Sequence, residues 1–127
     1  MKSSLKRKEC LKSRKAIKRM FEEGESFGHY PLRLVWVPIE SQDVMVQVAF
    51  SVSKRRFKLA VDRNRAKRII REAYRLNKQI LIDYLEELAE PQAYGLMFIY
   101  LDKQLPDFHQ VNTEMEKALH RMVKKMK

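Results

Sequence analysis

Apolar and polar positions repeat along this chain with two periods, one helical and one extended. Ala16, Ile17, Met20 and Phe21 recur at helical spacing behind Ser13, a suitable N-cap, and Gly24 supplies a stop, which predicts a short first helix. Leu32 to Val37 is rich in β-formers and ends at Pro38, while Val44, Val46, Val48, Phe50 and Val52 alternate strictly. These are predicted to be two strands, and the short polar stretch from Ile39 to Asp43 reads as a hairpin loop pairing them antiparallel. Gln47, Ser51 and Ser53 fall opposite the valines, which implies a one-sided sheet.

Asp62 is the predicted N-cap of a second helix whose Ala66, Ile69, Ile70 and Ala73 turn towards the core. Helical character continues through Ile80, Leu81, Tyr84, Leu85 and Leu88 until Pro91. Gly95 to Leu101 then reads as a buried strand reached by a helical crossover, so one parallel pairing is expected in the sheet. Asp107 caps a last helix that carries Phe108, Val111, Met115, Leu119, Met122 and Met126 on one side. The predicted order is α-β-β-α-β-α, an α/β (α+β) arrangement. Residues 1–12 lack a clean period and are expected to form a mobile basic arm.

A chain of 127 residues suits one domain, 1–127, with a single core. Cys10 is the only cysteine, so neither a disulfide framework nor a Cys/His zinc site is expected. The basic N-terminus runs into further charge with no apolar stretch behind it, and Leu96 to Leu101 is too short to span a bilayer. The expectation is a soluble, cytoplasmic protein with no membrane partner.

Charge changes this picture most. Lys54 to Arg75 holds ten Lys or Arg against Asp62 and Glu72, a net +8, and Lys2 to Arg19 holds nine against Glu9, another +8. Since the whole chain carries +11, the remainder sums to −5. Two basic patches on a mildly acidic body imply a directed surface for a polyanion. Within the second helix, Asn64, Arg68, Arg71 and Arg75 fall at i, i+4, i+7 and i+11 with Lys67 beside them, turning the run into a ridge. An anionic membrane would ask for bulky apolar residues under such a ridge, and Ala66 and Ile70 suit a sheet better. No two-helix unit with a tight glycine turn precedes the ridge, so the standard DNA-reading helix-turn-helix is not apparent and no DNA partner is expected, but composition by itself is less decisive between DNA and RNA. Phe21, Tyr30, Trp36, Phe50 and Phe57 lie near enough in sequence for one or two to stack on unpaired bases.

Candidate catalytic groups are sparse. His29, His109 and His120 have no triad or ligand spacing, and Asp83, Glu86, Glu87 and Glu90 read as a solvated helix face, not a metal cluster. The methionines of the last helix fit core packing, and Cys10 has no histidine at a useful spacing. Neither a protein active site nor a protein-bound metal is expected.

The stretch FSVSKRRFKLAVDRNRAKRIIREAYR, from Phe50 to Arg75, resembles the signature of the bacterial ribonuclease P protein family, whose hallmark is an Arg-Asn-Arg triplet before a basic helix. LKSRKAIKRMFEEGES, from Leu11 to Ser26, is similar to that family's first helix and glycine stop. The resemblance implies a two-layer α/β sandwich with a mixed sheet, the basic helix lying in a left-handed β-α-β crossover. It implies that a catalytic RNA with Mg²⁺, bound mainly by that RNA, removes the 5′ leader of precursor tRNA while the protein helps to hold the substrate. Arg63, Asn64, Arg65, Lys67, Arg68, Arg71 and Arg75 match the motif and ridge that would face the RNA. Arg14, Ile17, Phe21 and Trp36 match a cleft for the single-stranded leader, and Lys54 and Arg55 would touch phosphates at its rim. Ile17 stands where the family often has an aromatic residue. Two further departures are a loop, Arg55 to Lys58, that lacks the family's usual glycine and is one residue longer, and an extended segment from Asn77 to Gln92 that predicts an extra turn or short helix. Two other functions remain open on sequence grounds, a ribosomal or other structural RNA-binding protein and a self-contained nuclease.

Overall fold

The structure, a computed structural model, describes residues 5–41 and 43–127. After a 3-10 turn at Arg7–Glu9 come α1 (Arg14–Glu23), β1 (Glu25–His29), β2 (Leu32–Ile39), β3 (Val46–Val52), α2 (Ala60–Asn77), α3 (Gln79–Glu86), β4 (Ala93–Tyr100) and α4 (Phe108–Met126). The strands form one mixed sheet in the order β1-β2-β4-β3. β4 is antiparallel to β2 and parallel to β3. Such a mixed α+β fold is the class the sequence predicts.

The expected direct pairing of the second and third strands is corrected. β2 and β3 run in opposite directions, as their short connection demands, but β4 lies between them. Of the residues in β4 only Tyr94 and Ile99 are partly exposed, and a strand apolar on both sides is stable only in the sheet interior. The edge falls instead to β1, which pairs with β2 through a turn at Tyr30 and Pro31. Periodicity does not predict β1, because Phe27 is its only buried side chain. The segment expected to hold an extra turn forms α3.

One sheet face carries the main core. Leu32, Leu34 and Trp36 of β2 and Leu96, Phe98 and Tyr100 of β4 pack under α2, α3 and α4, whose contributions include Ile70, Tyr74, Leu81 and Met115. Each such burial contributes about 1.5–3 kcal/mol relative to exposure. The alternation implied a one-sided sheet, yet the opposite face has its own cluster of Val35, Val37 and Met97 beneath Met20 of α1 and Leu11. β2 and β4 are central strands, so both of their faces need cover.

Local chemistry sets the helix ends. Ser13 Oγ accepts from the Ala16 N–H at 3.2 Å and an Asp107 carboxylate oxygen from the Gln110 N–H at 3.1 Å, as the two predicted caps require. Asp62 is not a cap: α2 starts at Ala60, and Asp62 lies in its first turn, where its charge complements the helix dipole. At Gly24 a Cβ would lie 2.4 Å from the Met20 carbonyl oxygen and 3.0 Å from that of Trp36, so close approach, not a left-handed backbone, demands glycine.

The mobile arm is corrected for residues 5–12. Cys10 bridges Val48 in parallel, the Leu11 N–H donates to the Val48 carbonyl at 2.8 Å, and Leu11 is buried. Glu9 meets the buried Lys78 at 2.8 Å. Beyond β3, then, the N-terminal segment covers the sheet edge, and an edge with unpaired backbone groups gains most from such cover. Residues 1–4 of the expected arm lie outside the described residues.

Candidate nucleic-acid interface

α2 presents one face to the core through Ala66, Ile70, Ala73 and Tyr74, and helical geometry turns Asn64, Arg68, Arg71 and Arg75 away from it. Docking of residues 5–12 on β3 gives this ridge an opposing wall. Between the two is a groove of about 850 Å³, floored by Val48, Ala49 and Phe50. Arg7 and Lys12 line it from one side and Lys67, Arg68 and Arg71 from the other. The two basic runs of the sequence are thereby brought together in one concave surface, with a field stronger than either has alone. Arg7 and Lys12 carry no individual signal in the sequence; only the strand-edge docking places them here.

The side chains of the ridge differ in their freedom. Arg75 Nε donates to Glu72 Oε1 at 3.0 Å, which holds the Glu72 carboxyl below the usual range and pushes the Arg75 guanidinium up. Arg71 reaches Cys10 Sγ at 3.8 Å, across the groove. Lys67 and Arg68 make no hydrogen bond or ion pair among the described residues, so their donors are available to an anion. Among the described residues Glu72 is the only carboxylate lining the groove, and it is engaged by Arg75. These residues therefore do not fit a divalent cation.

The Arg-Asn-Arg triplet points three ways. Arg63 turns back to the preceding loop and donates from one nitrogen to the carbonyls of Phe57 at 2.8 Å and Lys58 at 3.0 Å. Asn64 lines the groove. Arg65 is exposed, on the flank of α2 turned away from it. In the loop before the motif Phe57 is buried, its ring 6.1 Å from that of Tyr100.

A second surface lies on the α1 side of the sheet. Met20 and Leu11 sit over Gly95. The α1 flank bearing Lys15 and Arg19 faces the Pro38–Glu40 end of β2, lining a recess of about 610 Å³. Arg14, Ile17 and Phe21 occupy the other flank by their spacing, so they border the open half of the sheet near the start of β2. Phe21 is 62% exposed, and Ile17 is partly covered by the apolar cluster. Trp36 must be removed from this group. It is only 4% exposed, on the opposite face of β2, edge-on to Phe27 at 5.9 Å. Strand alternation decides the matter: Leu32, Leu34 and Trp36 share the main core, leaving Arg33, Val35 and Val37 towards α1.

Lys54 and Arg55 are exposed in the loop after β3, where the Arg55 N–H donates to Ser53 Oγ at 3.0 Å. The neighbouring Arg56 lies close enough to the pair formed by Tyr30 and Asp102 to lower the Asp102 carboxyl further. The Tyr30 hydroxyl donates to Asp102 at 2.7 Å, the largest cause of that lowering and of the raised Tyr30 phenol.

The histidines are engaged elsewhere or apart. Arg121 can only donate, so the 2.8 Å contact makes His29 Nδ1 an acceptor and leaves Nε2–H to donate to Glu114 at 2.7 Å. This ties β1 to α4. His109 and His120 are exposed three turns apart on α4. No two histidines share a site.

The chain matches the family model described as Ribonuclease P over residues 5–123. A protein of Porphyromonas gingivalis called "Ribonuclease P protein component" is 42% identical over 120 residues, 93% of this chain and 85% of the relative. A protein of the same description from Chlorobium phaeobacteroides is 33% identical, with 93% and 87% covered. Among solved structures, the RNase P protein from Thermotoga maritima superposes with a TM-score of 0.68 at 21% identity, covering 88% of this chain and 96% of that one. The RNase P protein of Staphylococcus aureus gives 0.66 at 21% identity, covering 88% and 93%.

Proposed function

The chain belongs to the ribonuclease P protein family, and from that premise we propose how its two surfaces divide the holding of RNA. As the protein subunit of that ribonucleoprotein, an endoribonuclease of tRNA processing, it works with an RNA partner. The groove between α2 and the N-terminal segment takes the phosphate backbone of the catalytic RNA. Asn64, Lys67, Arg68 and Arg71 line it, with Arg75 at its far end and Arg65 on the outer flank. The open half of the sheet beside Arg14, Ile17 and Phe21 takes the single-stranded 5′ leader of precursor tRNA, and Lys54 and Arg55 meet phosphates at the rim.

Cleavage of the phosphodiester belongs to the RNA subunit and the Mg²⁺ it holds. The protein contributes by neutralising phosphates where two polyanions must approach, which raises substrate affinity without a protein nucleophile. The proposed place of work is the cytoplasm, where precursor tRNA is made; no helix among the described residues is long and apolar enough to cross a membrane.

The observation that carries this reading is the convergence of two sequence-distant basic runs on one groove. Reconstitution with the ribonuclease P RNA tests it. Arg68→Ala and Arg71→Ala should each weaken RNA association about fivefold and flatten its log–log salt dependence by nearly one unit. Cleavage of precursor tRNA by the protein with no RNA subunit would overturn the assignment of the chemistry.

A further inference from the structure

Arg33 is a cation on an interior strand of the sheet, exposed at a place where such strands usually bury an apolar side chain. β2 is flanked by β1 and β4, and Arg33 sits level with Gly28 on one side and Ile99 on the other. Leu32 and Leu34, its neighbours in sequence, are fully buried on the opposite face, so Arg33 must project towards the α1 side. There the covered rows of Val35, Met97 and Val37 end, and the row of Gly28, Arg33, Ile99 and Ser51 begins, with Gly28 and Arg33 exposed and Ile99 and Ser51 half-buried.

The guanidinium is held in place. One nitrogen donates to Ser26 Oγ at 3.0 Å, a diagonal contact between adjacent strands. The other terminal nitrogen lies 3.5 Å from where a Cβ of residue 28 would be, so the absence of a side chain at Gly28 leaves the fork lying over the strand and open from above. No carboxylate pairs with Arg33 among the described residues. With Trp36 turned into the core and an aliphatic Ile17 on α1, the exposed aromatic rings among the described residues are Phe21 on α1 and Tyr30 at the turn between β1 and β2.

We propose that Arg33 is a specificity-determining residue of the leader surface, its guanidinium gripping a leader phosphate through the donors left free by Ser26. This rests on the reading of the open sheet face as the leader site. A fixed guanidinium loses less side-chain freedom on binding than a solvent-swept one, and its fork suits two phosphate oxygens at once. The grip exchanges part of the stacking that an aromatic cleft would provide for a charge-assisted contact. Leader binding should accordingly depend on salt.

The test uses the reconstituted holoenzyme with precursor tRNA and with mature tRNA lacking the leader. Arg33→Ala should weaken precursor binding about tenfold while leaving mature tRNA binding unchanged. The salt slope of the leader-dependent part should fall by about 0.7, as for one phosphate of a single strand. Arg33→Lys should recover part of the affinity, and Ser26→Ala, which frees the fork, should lose about threefold. Equal losses with mature tRNA, or a loss with no change of slope, would overturn the phosphate grip. Phe21→Ala and Arg14→Ala separate the two levels. If they reduce leader-dependent binding and Arg33→Ala does not, only the role of Arg33 fails; if none of the three does, the open face is not the leader site.

Discussion

The groove beside α2 and the open sheet face beside α1 are both cationic, but they are built from different materials. The groove is a ridge of side chains with long free ends, facing a second basic segment across an apolar floor. The open face is sheet, a row of fixed positions in which Arg33 is held by Ser26 and the exposed Phe21 stands on a neighbouring helix. Flexible charge suits a backbone whose phosphates can be met in many registers, and fixed donors suit a short segment that must be held in one. The difference separates affinity from placement.

The largest effect should come from breaking the wall of the groove. Lys78→Ala leaves Glu9 without its buried partner and should destabilise the protein by about 3 kcal/mol in denaturant titrations. It should weaken binding in the groove more than leader-dependent binding, because α1 does not rest on that pair. The double variant Glu9→Leu with Lys78→Met should recover most of the stability. If Lys78→Ala affected both surfaces equally, the N-terminal segment would not be a wall of the groove in particular.

A smaller effect separates two arginines of one motif. Arg63→Ala removes the nitrogen that donates to the Phe57 and Lys58 carbonyls and should cost about 1–2 kcal/mol of stability, with the salt slope of RNA binding unchanged. Arg68→Ala should do the reverse. An Arg63 variant that lost slope but no stability would place that side chain on the RNA instead of the loop.

The smallest effect lies at the rim. The Asp102 carboxyl is lowered in the folded protein, so its contribution to stability is present above the ordinary carboxylate range and is lost as pH falls through the lowered value. Tyr30→Phe removes the hydroxyl donor and should move the Asp102 titration upward in an NMR pH series, towards the usual carboxylate value. An unmoved titration would mean that the Tyr30 hydroxyl is not bonded to Asp102 in solution.

Much of the fold was legible locally. Ser13 and Asp107 cap as their residue types predict, and the apolar stripes of α2 and α4 lie where the helical period puts them. The arginine ridge follows from the same period. β1 was illegible because one buried Phe27 cannot mark a strand, and the place of β4 because strand order depends on which neighbour buries both faces. Trp36 was misplaced for a related reason. An aromatic residue near a basic run suggests stacking, but the pleat of β2 turns it into the core and turns Arg33 out.

By itself, then, the sequence determined the helices, their caps and the charge they carry, because those depend on neighbours within a few residues. It also carried the family, through the motif at Arg63, Asn64 and Arg65. Only the tertiary structure decided that the two basic runs share one groove, that residues 5–12 form its wall and that Arg33 lies on the open face. Those are contacts between segments far apart in the chain, fixed by strand order and by the need to bury both faces of β4.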